Sequence, residues 1–128
     1  MMNDSKKLDA VKSDLKACTH VLAAIGDETR QLIMMALIDA GCDGLRVGEI
    51  TAQTHLSRPA VSHHLKILKD AGIVQMYKVA TMNYYYLDMS SKLMGLKKLF
   101  THIEELLIVE TPNENNQEAI SDENRVTH

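Results

Sequence analysis

The chain has 128 residues, with 14 Lys and Arg against 17 Asp and Glu, and 45% of its residues are hydrophobic. That apolar fraction is enough for a packed core, which excludes wholesale disorder, and no apolar run reaches the roughly 18 residues that a membrane span requires. Two cysteines, Cys18 and Cys42, are too few for a disulfide scaffold. Residues 1–16 are polar and lack the apolar segment of a signal peptide. We therefore expect a cytoplasmic protein of one domain with no membrane partner.

The net charge of −3 hides an uneven distribution of charge. Five acids and one base lie from residue 110 to the end, so residues 1–109 carry 13 bases and 12 acids, a net charge of +1. Four bases, one acid and three histidines lie between residues 55 and 83. A compact basic stretch in an acidic chain is typical of a surface that binds a polyanion. An ordinary solvated surface would carry the same charges, so the stretch has to be placed in a fold.

The first part of the chain predicts two helices. Apolar residues recur there with the heptad-like spacing of a helical seam, which predicts a helix over about 5–24. The residues of this seam are Leu8, Val11, Leu15, Cys18, Leu22 and Ile25. Gly26 ends the helix and Asp27 caps the next one. Residues 32–38 are apolar without a break, which predicts a helix buried on all sides.

The middle of the chain predicts two helices joined by a tight connection. A glycine-containing turn at 41–44 precedes a short helix over 47–54. Ser57 is the N-cap of the next helix, and Pro59 fits its first turn, where no backbone N–H is required. This second helix runs to Asp70.

The helix over 57–70 has two chemically distinct faces. At 100° per residue, one stripe is apolar and predicted to be buried, namely Val61, Leu65 and Leu68. The opposite face carries hydrogen-bond donors, namely Ser62, His63 and Lys66, with Arg58 and Lys69 at one edge. A short helix, a tight turn and a helix of this kind form the helix-turn-helix pattern, whose second helix fits the DNA major groove. The alternative is a solvated surface helix that only packs on its neighbour.

A β-hairpin follows. Residues 73–78 and 83–88 are rich in β-branched and aromatic types, and 79–82 joins them as a loop. Such a wing suits the minor groove or the DNA backbone beside the helix, and its tip carries Lys78, Thr81 and Asn83. The residues predicted to contact DNA are therefore Ser57, Arg58, Pro59, Ser62, His63, Lys66, Lys69, Lys78, Thr81 and Asn83.

The end of the chain predicts a second helical seam and a tail. The seam consists of Leu93, Leu96, Phe100, Ile103 and Leu107. Pro112 closes this helix, and the polar residues after it favour disorder. We therefore predict one domain over 1–110 and a disordered acidic tail over 111–128.

Four segments resemble the ArsR/SmtB family of winged-helix transcriptional repressors. They are Gly-Asp-Glu-Thr-Arg at 26–30, Val-Gly-Glu-Ile at 47–50, the stretch from Leu56 to Gly72 and Asn-Tyr-Tyr-Tyr-Leu at 83–87. The pattern Ser-x-x-x-Val-Ser-x-His-Leu-x-x-Leu, followed by Ala-Gly, is the most specific part. The resemblance implies a mainly α fold with a β-hairpin wing (α+β), a winged helix-turn-helix that dimerises through its first and last helices.

The same resemblance implies a function. Family members are homodimeric repressors that bind inverted repeats in double-stranded DNA and are released by a metal ion or another small chemical signal. The alternative is a winged-helix protein-interaction module without DNA binding. An enzyme is not expected, because no motif places Cys42 beside a histidine and an orienting acid, and there is no glycine-rich phosphate loop.

The metal positions of the family are only partly matched. Its Cys-x-Cys pair would fall in 47–54, which contains no cysteine. Its last-helix zinc site pairs Asp-x-His with His-x-x-Glu; the first pair aligns with Met89 and Ser91, and only the second is present, as His102 and Glu105. Zinc requires four ligands, so no cofactor is expected and His102 and Glu105 are interpreted as a solvated pair. A register shift that recruits the adjacent Asp88 would be the exception.

Two cysteines and a histidine are further candidates for a sensor or structural role. Cys18 lies in the first seam and is predicted to be a buried core residue, whereas Cys42 lies in a turn and is predicted to be exposed. These two thiols are the candidates for redox sensing. His64 lies at the rim of the buried stripe and is predicted to bond a backbone carbonyl.

Overall fold

The computed structural model describes residues 3–107, which form a mainly helical domain with one two-stranded antiparallel hairpin. This confirms the predicted fold class. The elements are α1 (Asp4–Ala17), α2 (Thr19–Ile25), α3 (Glu28–Ala40), α4 (Val47–Thr54), α5 (Arg58–Asp70), β1 (Val74–Val79), β2 (Met82–Leu87) and α6 (Ser90–Leu107), with a single 3₁₀ turn at Gly41–Asp43. None of the described helices is both long and apolar enough to cross a bilayer. Pro112 and the predicted tail lie outside the described residues.

The predicted helix over 5–24 is two helices that meet at Cys18. The backbone hydrogen bonds continue through the junction, because Cys18 N donates to Asp14 O at 3.0 Å and Leu22 N donates to Cys18 O at 2.9 Å. The hydroxyl of Thr19 also donates to the carbonyls of Leu15 and Lys16. Back-bonding of this kind competes with the helical ladder and bends helices. It accounts for the break that apolar spacing alone did not predict.

The end of α2 and the start of α3 follow the prediction. Gly26 is the C-cap of α2, and the carboxylate of Asp27 accepts a hydrogen bond from Arg30 N at 2.9 Å. The predicted burial of α3 on all sides is wrong, because Leu32, Met35 and Ile38 are 44–59% exposed. The buried residues of α3 are Ile33, Ala36 and Leu37. The helix packs against the domain on one side only, so its apolar sequence exceeds its contact area.

The core forms where α5 meets the other helices and the hairpin. Val61, Leu65 and Leu68 are at most 1% exposed, as the stripe on α5 predicted. They pack in one cluster with residues from most of the other elements, including Ile33, Leu37, Ile50, Ile73 and Leu99. Each fully buried aliphatic side chain of this size stabilises the fold by about 1.5–3 kcal/mol. The apolar side of α5 is therefore committed to the core.

The hairpin is tighter than predicted and anchored at its base. β1 and β2 pair from Val74↔Leu87 to Val79↔Met82, so only Ala80 and Thr81 form the turn. Leu45 adds a further bridge to Tyr85, with two backbone hydrogen bonds of 2.8 Å. A Cβ at Gly44 would lie 2.4 Å from the Tyr85 carbonyl oxygen, so only glycine permits this close approach.

The two seams pack against each other only in part. Val11, Cys18, Leu96 and Ile103 join the core of the protomer. About 40–60° around each helix, a second apolar stripe faces outward. We call this stripe the α1–α6 apolar surface; its members, 44–65% exposed, are Leu8, Leu15, Leu93, Phe100 and Leu107.

Candidate nucleic-acid interface

The start of α5 is defined by a side-chain cap. Ser57 Oγ accepts a hydrogen bond from Ala60 N at 3.2 Å, and Pro59 lies in the first turn. His55 adopts a left-handed conformation with φ 61°, which turns the chain sharply between α4 and α5. These local features produce the predicted helix-turn-helix and set Ser57, Arg58 and Pro59 at its exposed end.

The outward side of α5 is polar and basic. We call it the basic face of α5; its members, all exposed, are Arg58, Ser62, His63, Lys66 and Lys69. Lys66 Nζ lies 3.1 Å from Asp70 Oδ2, but both side chains are well exposed, and such surface pairs contribute little. Exchange of Asp70 for a phosphate as the partner of Lys66 therefore costs little free energy.

The hairpin turn supplies the other predicted contacts. Lys78 and Asn83 are cross-strand partners, Thr81 lies in the turn, and all three are exposed. Arg58 and Asn83 line the same cleft, so the structure brings the first turn of α5 and the wing together. Contact with DNA by the ten predicted residues stays a prediction.

His64 links α5 to the helices behind it. Its Nδ1 lies 3.2 Å from Arg30 Nη1, and the same guanidinium donates to the carbonyls of Ala24 at 2.7 Å and Ala23 at 3.2 Å. Burial lowers the pKa of His64; the carboxylate of Asp27 opposes this shift, and the positive charge of Arg30 adds to it. The predicted structural role fits this position, but the partner is a guanidinium and not a backbone carbonyl.

The interpretation of His102 and Glu105 as a solvated pair is wrong for His102. Its Nδ1 contacts Asp14 Oδ2 across the α1–α6 contact, while Glu105 is exposed. Lys98 Nζ lies 4.0 Å from the other oxygen of Asp14. Asp14 is itself buried, and its contact therefore holds His102 partly out of solvent. Its spacing of three from Val11 and four from Cys18 was the available sequence signal.

The remaining sensor candidates are Asp88 and the two cysteines. Asp88 Oδ1 accepts a hydrogen bond from Ser90 N at 3.0 Å, so this carboxylate holds the start of α6. Cys18 is buried and Cys42 is exposed, as predicted. Across residues 3–107, no three His, Cys, Asp or Glu side chains come together in a metal-binding arrangement.

Comparisons with known proteins match this geometry. Residues 27–76 match a family model described as bacterial regulatory protein, arsR family. An uncharacterized HTH-type transcriptional regulator of Methanocaldococcus jannaschii is 40% identical over 68 residues, which are 53% of this chain and 74% of that protein. The transcriptional repressor SdpR of Bacillus subtilis is 36% identical over 69 residues, 54% of this chain and 73% of its own length.

The fold is shared with solved structures. The transcriptional regulator HlyU from Vibrio vulnificus has 29% sequence identity and a TM-score of 0.56, with 74% of this chain and 94% of that chain covered. Fold, helix-turn-helix geometry and sequence similarity agree with the resemblance drawn from the motifs. The chain belongs to the arsR family of bacterial regulatory proteins.

Proposed function

We propose that this DNA-binding regulator represses transcription by binding an inverted-repeat operator as a homodimer. The observation that carries the proposal is the basic face of α5, which lies exposed opposite a fully buried stripe and beside the wing. Support also comes from the relative in Bacillus subtilis, which is named a transcriptional repressor.

The basic face divides naturally into two kinds of contact. The major groove is about 12 Å wide and admits a helix, whose first turns meet the base edges. Ser62, His63 and part of Arg58 would read bases there. Phosphates would be bound by the basic side chains Lys66, Lys69 and Lys78, and also by Arg58. Further contacts would come from Ser57 and Pro59 at the start of α5 and from Thr81 and Asn83 in the wing.

The homodimer is supported by the α1–α6 apolar surface. Five large apolar side chains on one side of two adjoining helices are exposed in one protomer, and exposed apolar patches mark protein interfaces. A two-fold axis through this surface would present two copies of α5. Two half-sites about 34–36 Å apart, one turn of DNA, would then be read together.

The proposal includes release of the DNA by a small effector. It includes no resident cofactor. His102 is engaged by Asp14, and among residues 3–107 no group of three or more metal-type side chains includes Glu105. The two cysteines of the chain are the thiols available for a redox signal. Binding of DNA by the purified protein with zinc, chelator, oxidant or reductant distinguishes the metal, thiol and constitutive versions.

Selection of duplexes from a random-sequence pool, followed by fluorescence anisotropy at several salt concentrations, tests the proposal. We expect an inverted repeat to be enriched and log affinity to fall with log salt by about 0.9 per phosphate contacted. Lys66→Ala should weaken binding to every duplex, whereas His63→Ala should change the preferred sequence. A salt-independent interaction, or no enriched duplex, contradicts the proposal and favours the protein-interaction module.

A further inference from the structure

A cleft of 530 Å³ lies where the start of α4, the start of α5 and the end of the hairpin meet. Its polar lining comes from all three elements, with Arg46 and Glu49 from the α4 end, Arg58 from α5 and Asn83 from β2. The cleft opens beside the basic face of α5. Of these side chains, the sequence patterns had singled out Arg58 and Asn83 as DNA contacts.

Glu49 orients Arg46 without using all of its donors. The Glu49 carboxylate oxygen Oε1 accepts from Arg46 N at 2.9 Å and from Arg46 Nε at 3.2 Å. Arg46 Nη1 lies 3.5 Å from Met82 Sδ, a weak acceptor on the wing. A guanidinium has five N–H groups, so most of the Nη donors stay available. The hydrogen bonds from Arg46 lower the pKa of Glu49, which is therefore ionised at neutral pH.

Gly48 provides the space for the second guanidinium. A Cβ at position 48 would lie 3.0 Å from Arg58 Nη2, closer than side chains normally approach. The bare Cα therefore lets the Arg58 guanidinium rest against α4. Within residues 3–107, no carboxylate lies within 4.0 Å of the Arg58 guanidinium. Two arginines and one glutamate leave the cleft with a net positive charge.

We propose that this cleft binds a phosphate of the DNA backbone between Arg46 and Arg58, with Glu49 and Gly48 as positioning residues. A guanidinium presents parallel N–H donors that match phosphate oxygens, and two of them from different elements fix the register of the duplex. The inference rests on the proposed DNA binding and adds Arg46 to the contacting residues. In this proposal the wing also helps to position Arg46, because Met82 contacts the Arg46 side chain.

The test compares Arg46→Gln with Lys16→Gln, a matched loss of one exposed positive charge on α1. The probes are a fluorescein-labelled duplex selected by the full-length protein and a mixed-sequence duplex of equal length. For Arg46→Gln we expect about tenfold weaker binding to both probes and a salt slope smaller by about one for each protomer bound. Lys16→Gln should leave both quantities unchanged.

A second variant separates positioning from charge. Gly48→Ala keeps both arginines and favours the helix, so the midpoint of thermal unfolding should not fall. The displaced Arg58 should nevertheless weaken binding to both duplexes. Inorganic phosphate presents the same oxygens and should compete more strongly than chloride at equal ionic strength, by a margin that shrinks in Arg46→Gln. Wild-type affinity of Gly48→Ala for both duplexes would overturn the positioning role of Gly48.

The outcomes also separate this inference from the proposed function. If Arg46→Gln keeps the wild-type affinity and salt slope while Lys66→Ala weakens binding, the phosphate site in the cleft is contradicted. The proposed function as a DNA-binding regulator would then still stand. If the wild-type protein enriches no duplex, both proposals fail.

Discussion

Asp14 is the only buried charged side chain among residues 3–107, with a relative exposure of 8%. A buried carboxylate requires compensation, because it loses its hydration on folding. His102 contacts one of its oxygens, and Lys98 approaches the other at 4.0 Å. Asp14 thus adds a polar link between α1 and α6 to the apolar packing of the two helices.

Asp14→Ala should therefore destabilise the protein. The His102 ring would lose its partner in a half-buried position, which typically reduces the free energy of unfolding by about 1–3 kcal/mol. Urea denaturation followed by circular dichroism measures the change. The matched control is Asp9→Ala, an exposed aspartate on the same helix, which should stay within about 0.5 kcal/mol of wild type. Equal effects of the two substitutions would show that the His102 contact contributes nothing.

At the scale of elements, one guanidinium links α5 to both α2 and α3. Arg30 lies on α3, bonds two carbonyls near the end of α2 and reaches His64 on α5. The hydrogen bond to His64 requires an unprotonated Nδ1, since arginine can only donate. Protonation of His64 would turn this attraction into a repulsion of two positive charges.

This contact predicts a pH-dependent stability. The lowered pKa of His64 means that the unfolded chain takes up the proton at a higher pH than the folded protein. Acidification below about pH 6.5 therefore favours unfolding, and the lost stability returns as the pH rises through that value.

His64→Ala should remove that dependence. At pH 7.5 we expect a loss of about 0.5–1.5 kcal/mol in the free energy of unfolding, from the missing hydrogen bond. The gap to wild type should narrow at pH 5.5, where His64 itself destabilises the wild-type protein. Urea titrations at both pH values measure this, with His20→Ala, an exposed histidine of α2, as control. A gap that is constant or widens on acidification would contradict the role given to His64.

The whole molecule presents two surfaces with different chemistry. The basic face of α5 and the wing suit a polyanion, whereas the α1–α6 apolar surface suits another apolar surface. A symmetric dimer formed through the α1–α6 apolar surface would set the spacing between the two copies of α5. The apolar surface would thereby affect how the basic faces meet DNA. Affinity for an inverted repeat would then depend on residues that never touch DNA.

Phe100→Glu should convert the proposed dimer into a monomer. Phe100 is 57% exposed in the protomer, so the substitution is tolerated there, while a glutamate buried in the dimer interface is not. Light scattering should report a mass near 14.3 kDa in place of twice that value. Affinity for the inverted repeat should fall by about a hundredfold or more, because the second half-site is no longer bound by the same particle.

Ile38→Glu is the control for this prediction. Ile38 is equally exposed, at 59%, but it lies on α3, away from the α1–α6 apolar surface. The variant should remain dimeric and bind DNA as wild type does. A monomeric wild-type protein at micromolar concentration would contradict the proposed dimer.

Local chemistry was sufficient to predict most elements of this protein. Ser57 and Pro59 mark the start of α5, Gly26 and Asp27 separate α2 from α3, and the spacing of Val61, Leu65 and Leu68 identifies the buried stripe. These signals work because caps and helical periodicity involve residues within about four positions of each other. The basic side of α5 followed from the same periodicity.

Packing between distant segments could not be obtained in that way. His102 and Asp14 are 88 positions apart, and the cleft between Arg46, Arg58 and Met82 depends on how three elements meet. Leu32, Met35 and Ile38 are apolar yet exposed, because burial depends on what covers a helix as well as on its composition. The sequence therefore specified most of the helices, the hairpin and the two faces of α5, but not the break between α1 and α2 or the exposed side of α3. Which faces meet, and which remain open for DNA or a second protomer, depends on the three-dimensional arrangement of the elements.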